Sequence, residues 1–348
     1  MAVNVDRSKT IRRGGVLLLV VLAALLPQLT SNQYYLSVAF QTEMLACLAI
    51  GLNIVVGYAG LLDLGFAAFF AIGAYTTGIL STKEGWPILA TLVPGVLIAV
   101  LSALAIGLPT LRLRSDYLAV VTLGFGEIIQ AIANNLNQTG GPTGIYAIPS
   151  LVVGSIVVDS PAGYYYVFLI LVVIFAIFST RLRYSRLGRA WLCIREDEDA
   201  AQAMGIKTHH YKLYAYMGGA VVGSITGALY APALTAIAPT SFGFNESLLI
   251  LMAVAIGGLG TVWGAIFGAA VVEILPEAFR QFSQARLLVF GFMLIVIMIM
   301  RPRGLLPEGA LQGLGARLRS LFQRSSDQAL LTDAEQEKAL LSPAEEAP

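Results

Sequence analysis

Charge is scarce in this 348-residue chain: 12% of residues are charged, with 22 Lys and Arg against 21 Asp and Glu. That deficit removes the basic face a nucleic-acid partner needs. Only two cysteines occur, Cys47 and Cys193, too few for a disulfide framework or a zinc site. Only two histidines occur, adjacent at His209 and His210; neighbours point different ways on a helix, so a solvated pair is expected there and no metal site. Lysines number five, and none completes a G-x-x-x-x-G-K-[ST] loop, which excludes ATP binding by a P-loop of the chain's own. A nucleophile elbow and an H-E-x-x-H helix are missing too. No catalytic residue, metal ligand or cofactor is expected, and the chain is not read as an enzyme.

What fills the space instead is apolar: 57% of residues are hydrophobic and the mean hydropathy is +0.76. The lipid bilayer is therefore the chain's surroundings. The fold class expected is an all-α integral membrane protein of about ten transmembrane helices, some broken or re-entrant. The spans run Val16 to Leu29, Leu36 to Gly57, Leu61 to Leu80, Pro87 to Leu111, Tyr117 to Asn134, Tyr164 to Thr180, Leu213 to Ala231, Glu246 to Gly257, Val262 to Leu275 and Leu287 to Met300. Gly57, Gly60 and Gly65 mark the break after the second. The first is read as uncleaved, since no small-x-small site precedes Tyr34 and Tyr35.

Charge placement tests this count. With the N-terminus cytoplasmic, 19 of the 22 Lys and Arg fall inside, and only Lys83, Arg280 and Arg286 fall outside, the asymmetry that the positive-inside rule requires. Domains follow: a cytoplasmic segment 1–13, a transmembrane domain 14–306 holding the polar run 181–212, and a cytoplasmic tail 307–348. The tail opens with a possible basic amphipathic helix, Leu311 to Arg324, and continues as an acidic, Ala-rich stretch of disordered composition.

One polar run stands apart, Arg181 to Lys212. Inside it a short helix is written, Glu198 to Met204: Asp197 as N-cap, Glu198 and Asp199 as first-turn acids, Gly205 as stop. Ala200, Ala201 and Met204 are read as one small face for a partner's groove. Within the spans, Glu43, Asn53, Glu127, Gln130, Asn134, Glu246 and Glu273 are polar at membrane depth, which is costly unless they face a cavity or a partner. Asp63 reads best as the N-cap of the third span. Gly57, Gly60 and Gly65 either expose backbone N–H groups to a carboxylate or permit close packing. Gly57-x-x-Gly60 is echoed by Gly257-x-x-Gly260; the two start on the same side, which an inverted repeat does not give.

Asp199-Ala200-Ala201-x-x-x-Gly205 resembles the EAA loop of ABC importer permeases, with Asp where that family usually has Glu. Further blocks widen the likeness: GLNIVVGYAGLLDLGFAAFFAIGAY (51–75), LRLRSDYLAVVTLGFGEII (111–129), TGGPTGI (139–145), LGRAWLCIREDEDAAQAMGI (187–206), GGLGTVWGAIFGA (257–269) and RPRGLLP (301–307). In that order they are similar to the LivM-type permeases of branched-chain amino acid ABC importers. The resemblance implies import of branched-chain or other neutral amino acids across a bacterial plasma (inner) membrane, with both termini cytoplasmic. It implies a LivH-type permease as heterodimer partner, two ABC ATPase subunits, and an extracytoplasmic substrate-binding protein. Arg195, Glu198, Asp199, Ala200, Ala201 and Gly205 are then the ATPase-coupling residues. Glu43, Asn53, Gly57, Gly60, Gly65, Glu127, Gln130 and Glu273 are the candidates for the pathway. Two alternatives stay open: the same machine carrying urea or short amides, and an ion-coupled secondary transporter using Glu43, Glu127 or Glu273. The second has no need of a docking helix.

Overall fold

The computed structural model describes residues 32–111, 115–154 and 156–278, together with 23–25, 27–28, 291, 295, 299 and 304–305. The expected segment 1–13, most of the first and last spans, and the tail with its amphipathic helix lie outside the described residues.

Helix α1, Gln33–Leu52, runs without a break into a π-helical segment, Asn53–Tyr58. Every residue from Glu43 to Ala59 is buried, so this helix is the axis of the bundle. The chain then travels as irregular, largely buried backbone to Ala67 before α2, Ala67–Lys83, begins. The expected start at Leu61 is corrected here by two turns. Asp63 is not the N-cap either: the cap position is Phe66, and Asp63 Oδ1 accepts from the N–H of Gly65, 2.8 Å away. Backbone stripped of its helix must still be hydrogen-bonded inside an apolar bundle. Here Leu64 N–H donates to Thr122 Oγ1 at 3.1 Å and Ala67 N–H to Ser247 Oγ at 3.0 Å.

Helices α3, Ile88–Thr110, α4, Ser115–Asn135, and α5, Pro161–Tyr184, follow. Between α4 and α5 the chain forms two 3-10 turns and an antiparallel hairpin, β1 Leu151–Val153 with β2 Ile156–Val158, pairing Leu151 with Val158. The polar run 181–212 holds two helices: α6, Arg186–Glu196, and α7, Glu198–Ala203. Then come α8, Thr208–Leu234, α9, Phe244–Gly257, and α10, Val262–Ala278. Six helical stretches among the described residues are long and apolar enough to cross a membrane: Gln33–Tyr58, Ile88–Thr110, Tyr117–Asn135, Pro161–Tyr184, Thr208–Leu234 and Pro239–Gly257. Among the described residues the fold is thus that of an all-α membrane protein apart from one small hairpin.

Helices in lipid gain little from the hydrophobic effect and associate through close packing and hydrogen bonds. One close crossing joins α2 to α8. A Cβ on Gly73 would stand 2.0 Å from the Ser224 carbonyl oxygen, and one on Gly227 2.0 Å from that of Phe70. Phe69, Phe70, Tyr216, Tyr230 and Phe242 interlock around this crossing with ring centroids 5.0–6.4 Å apart. At one end of the bundle the connecting segments meet. Lys83 Nζ donates to the Gln138 carbonyl at 2.9 Å, and Ile145 bridges Ile237. At the other end, Tyr58 Oη lies 2.9 Å from Ser179 Oγ, with Arg183 over its ring.

Gly73→Ala should lower the stability of the detergent-solubilised chain by about 1–3 kcal/mol, the usual cost of overfilling a packed site. Gly124→Ala, where a Cβ meets nothing within 4 Å, should leave it unchanged or slightly raised. Thermal unfolding of both variants checks this, and equal effects would contradict the crossing.

Candidate functional site

The basic loop is built on Ser185 and Asp197. Ser185 Oγ accepts from Gly188 N–H at 3.3 Å and starts α6. This helix puts Trp191 and Ile194 inward and Arg186 and Arg189 outward, and Trp191 Nε1 donates to the Tyr211 carbonyl at 2.6 Å. Asp197 closes α6, its N–H donating to the Cys193 carbonyl, and opens α7, its Oδ1 accepting from Ala200 N–H at 2.9 Å. One residue therefore joins two helices.

Helix α7 ends one residue earlier than expected, at Ala203, with Met204 as C-cap. Gly205, at φ +85°, takes the left-handed conformation that stops it. Gly205 N–H donates to Gln202 O at 2.9 Å and Ile206 N–H to Ala201 O at 3.1 Å, the paired bonds of a Schellman motif. Ala200, Ala201 and Met204 do not form one face, which corrects the sequence reading. Ala201 points into the protein, 4% exposed, while Ala200 is exposed one step round the helix and Met204, at the C-cap where the helix has ended, stands out at 84%. Lys212 of α8, only 6% exposed, pairs with Glu198 and holds α7 down. Met204 and Gly205 rim an open groove whose other wall is Lys207, His210, Tyr211 and Tyr214. His209 and His210 lie on the first turn of α8, and Cys193 is exposed while Cys47 is buried.

Beneath this loop lies the second feature, a junction of glycines. Arg195, in the last turn of α6, donates through Nη1 to the Gly57 carbonyl. Asn53 Oδ1 accepts from Gly260 N–H at 2.8 Å. A Cβ on Gly57 would stand 2.0 Å from Asn53 Oδ1 and 2.7 Å from Gly260 N. The two echoed glycine loops, 57–60 and 257–260, thus pack on each other around Arg195. Gly65 is equally tight, with a Cβ position 1.8 Å from the Thr122 carbonyl oxygen. Close approach accounts for Gly57 and Gly65 without a carboxylate nest. Sequence reasoning missed Gly260 and Trp191; the repeated G-x-x-G could have pointed to the first.

The remaining polar candidates are dispersed. Glu43 is buried on α1 beside Tyr165 of α5. Glu246 and Glu273 are half-buried near Tyr230. Gln130 Nε2 donates to the Pro239 carbonyl at 3.3 Å, tying α4 to the chain before α9. Glu127 is different, for it is exposed on α4, on a face with Tyr117, Val120, Val121, Ile128 and Ile132. Groups of three or more His, Cys, Asp or Glu placed to hold a metal do not occur among the described residues.

A bundle with interrupted helices, a capped helix carried outside it on a basic loop, and an acidic residue on an otherwise apolar outer face has the build of a membrane transport permease. The chain belongs to the family of branched-chain amino acid transport system permease components, whose profile matches residues 34–299. It is 36% identical, over 87% of its length and 77% of the relative's, to the high-affinity branched-chain amino acid transport system permease protein LivM of Escherichia coli K12. A probable LivM of Methanocaldococcus jannaschii is 27% identical over 74% of this chain and 84% of its own. LivH of Salmonella typhimurium, also a high-affinity branched-chain amino acid transport permease, is 25% identical over 75% and 90%. No solved structure matches.

Asp197→Ala should loosen α7 by about 1 kcal/mol, the ordinary worth of an N-cap, and Asp197→Asn should restore it. Limited proteolysis between residues 197 and 207 reads this directly: faster cleavage in the Ala variant alone is expected, with the membrane helices intact.

Proposed function

We propose that this chain is one of two permease subunits of an ATP-driven importer, and that it moves branched-chain or other neutral amino acids inward across the plasma membrane. A LivH-type permease is its partner in the membrane, two ABC ATPase subunits bind the basic loop, and an extracytoplasmic binding protein delivers the amino acid. It performs no enzymatic chemistry itself. The observation that carries this reading is α7: a six-residue helix capped at both ends, fastened by Lys212 and presenting Met204 to solvent. A segment so carefully ordered outside the spans, within a chain of this family, has the form of a docking element.

Ten spans complete the topology in this reading. The six long stretches are joined by α2 and α10, 17 residues each, and by the first and last spans. Both termini and the loop 181–212 face the cytoplasm. The open face of α4 turns to the second permease and the pathway, because a carboxylate such as Glu127 is costly against lipid and tolerable in a wet cavity. Gln130 and Asn134, about one and two turns further on, extend that polar edge.

The four kinds of subunit, reconstituted in proteoliposomes, should take up labelled leucine only with internal ATP and external binding protein. Uptake by the isolated chain on a proton or sodium gradient would discard the importer. Met204→Asp, which spoils an exposed apolar contact, should weaken ATPase capture by roughly tenfold or more, as central contacts of an interface do, and leave membrane insertion untouched. Normal capture and uptake would remove α7 from the docking surface.

A further inference from the structure

Arg195 belongs to the loop that meets the ATPase, yet its guanidinium points the other way. Its Nη1 bonds the Gly57 carbonyl, one of the last carbonyls of α1 and its π segment, which have no partner further along the helix. A cation there also complements the negative end of the helix dipole. The residue keeps one side exposed to solvent, and its other side is closely fitted at the stem and at Nη1. A Cβ on Gly60 would lie 3.0 Å from Arg195 Cγ, and one on Gly260 would lie 2.9 Å from Nη1. One side chain therefore touches the interruption after α1 and the turn between α9 and α10, which Asn53 has already joined to each other.

The covalent route outward from Arg195 is short. Two residues on stands Asp197, which caps both α6 and α7, so a displacement of α7 reaches Arg195 through a single linking residue. The route inward is continuous as well. From Gly60 the buried segment leads to Leu64 and Gly65, held on Thr122 of α4, and to Ala67, held on Ser247 of α9. Thr122 lies five positions from Glu127 on the same helix.

We propose that Arg195 is a positioning residue that ties α7 to the broken end of α1, so that force on the docking helix moves the 57–66 segment and with it α4. It acts through Gly57 and does not form part of the ATPase contact. This rests on the importer reading above.

Two measurements test it. In the isolated full-length chain, hydrogen exchange at the amides of Gly57 to Leu61 should speed up about tenfold in Arg195→Ala, the loss expected when a charge-assisted bond goes, with residues 88–110 unchanged. In the assembled complex the same variant should capture the ATPases normally and hydrolyse ATP, while amino acid moved per ATP falls by about tenfold. Arg195→Lys keeps the charge and one donor, and should recover part of both losses. Unchanged exchange at Gly57 to Leu61 would overturn the contact, and unchanged transport per ATP would overturn its role. Capture lost in parallel with uptake would assign Arg195 to the ATPase surface instead and also overturn the proposal. If Arg195→Ala fails to accumulate, Arg195→Lys decides: faster exchange with a few-fold loss of coupling upholds it, and wild-type values in both sink it. Failure of the wild-type complex to import with ATP would remove the importer reading, and the exchange result would still report on the contact.

Discussion

A helix interrupted inside an apolar bundle leaves amides and carbonyls that lipid cannot satisfy, and the rest of this structure follows from how those groups are met. After Tyr58 the chain gives up its helix for eight residues while remaining largely buried. The missing bonds are supplied by Asp63 within the segment and, from across the fold, by Thr122, Ser247 and Arg195. The last three come from three different helices, so the interruption gathers α1, α2, α4, α6 and α9 to one region. Glycine then becomes compulsory rather than convenient: at Gly57 and Gly65 a methyl group would sit at bonding distance from a polar atom.

The same requirement explains the polarity inside the bundle. Asn53 is fully buried, and its Oδ1 accepts the N–H of Gly260 in the turn before α10. Tyr58 finds Ser179, and Trp191 finds the Tyr211 carbonyl. These bonds are few, but in a medium without water each one fixes a register that packing alone leaves free to slide. The open face of α4 is the contrast, where Glu127 remains exposed.

Much of this was legible in the sequence, and the failures are instructive. Span positions followed from long apolar runs, and Asp197 and Gly205 were recognisable because cap and stop residues act locally. Helix α6 was not seen, since its buried side, Gly188, Ala190, Trp191 and Ile194, is threaded through arginines that read as loop. The start of α2 was misplaced because nothing local distinguishes apolar helix from apolar extended chain; Thr122 and Ser247, 58 and 180 residues from their partners, decide it. Glu43, Asn53 and Glu127 looked alike as polar residues in spans. Only the packing separates a buried neighbour of Tyr165, a structural bond to Gly260 and an outward-facing carboxylate.

Asp197 carries one last implication. Because α6 and α7 share it, the bearing of the second helix on the first is set by two torsions, φ −156° and ψ 109°. Residue types along 186–205 can drift over evolutionary time as long as those torsions and the buried side survive. Length cannot: adding one residue between Arg195 and Met204 would swing the exposed methionine about 100° round the helix axis. Among homologues that use this surface, the segment from Arg195 to Gly205 should therefore vary in composition while admitting neither insertion nor deletion.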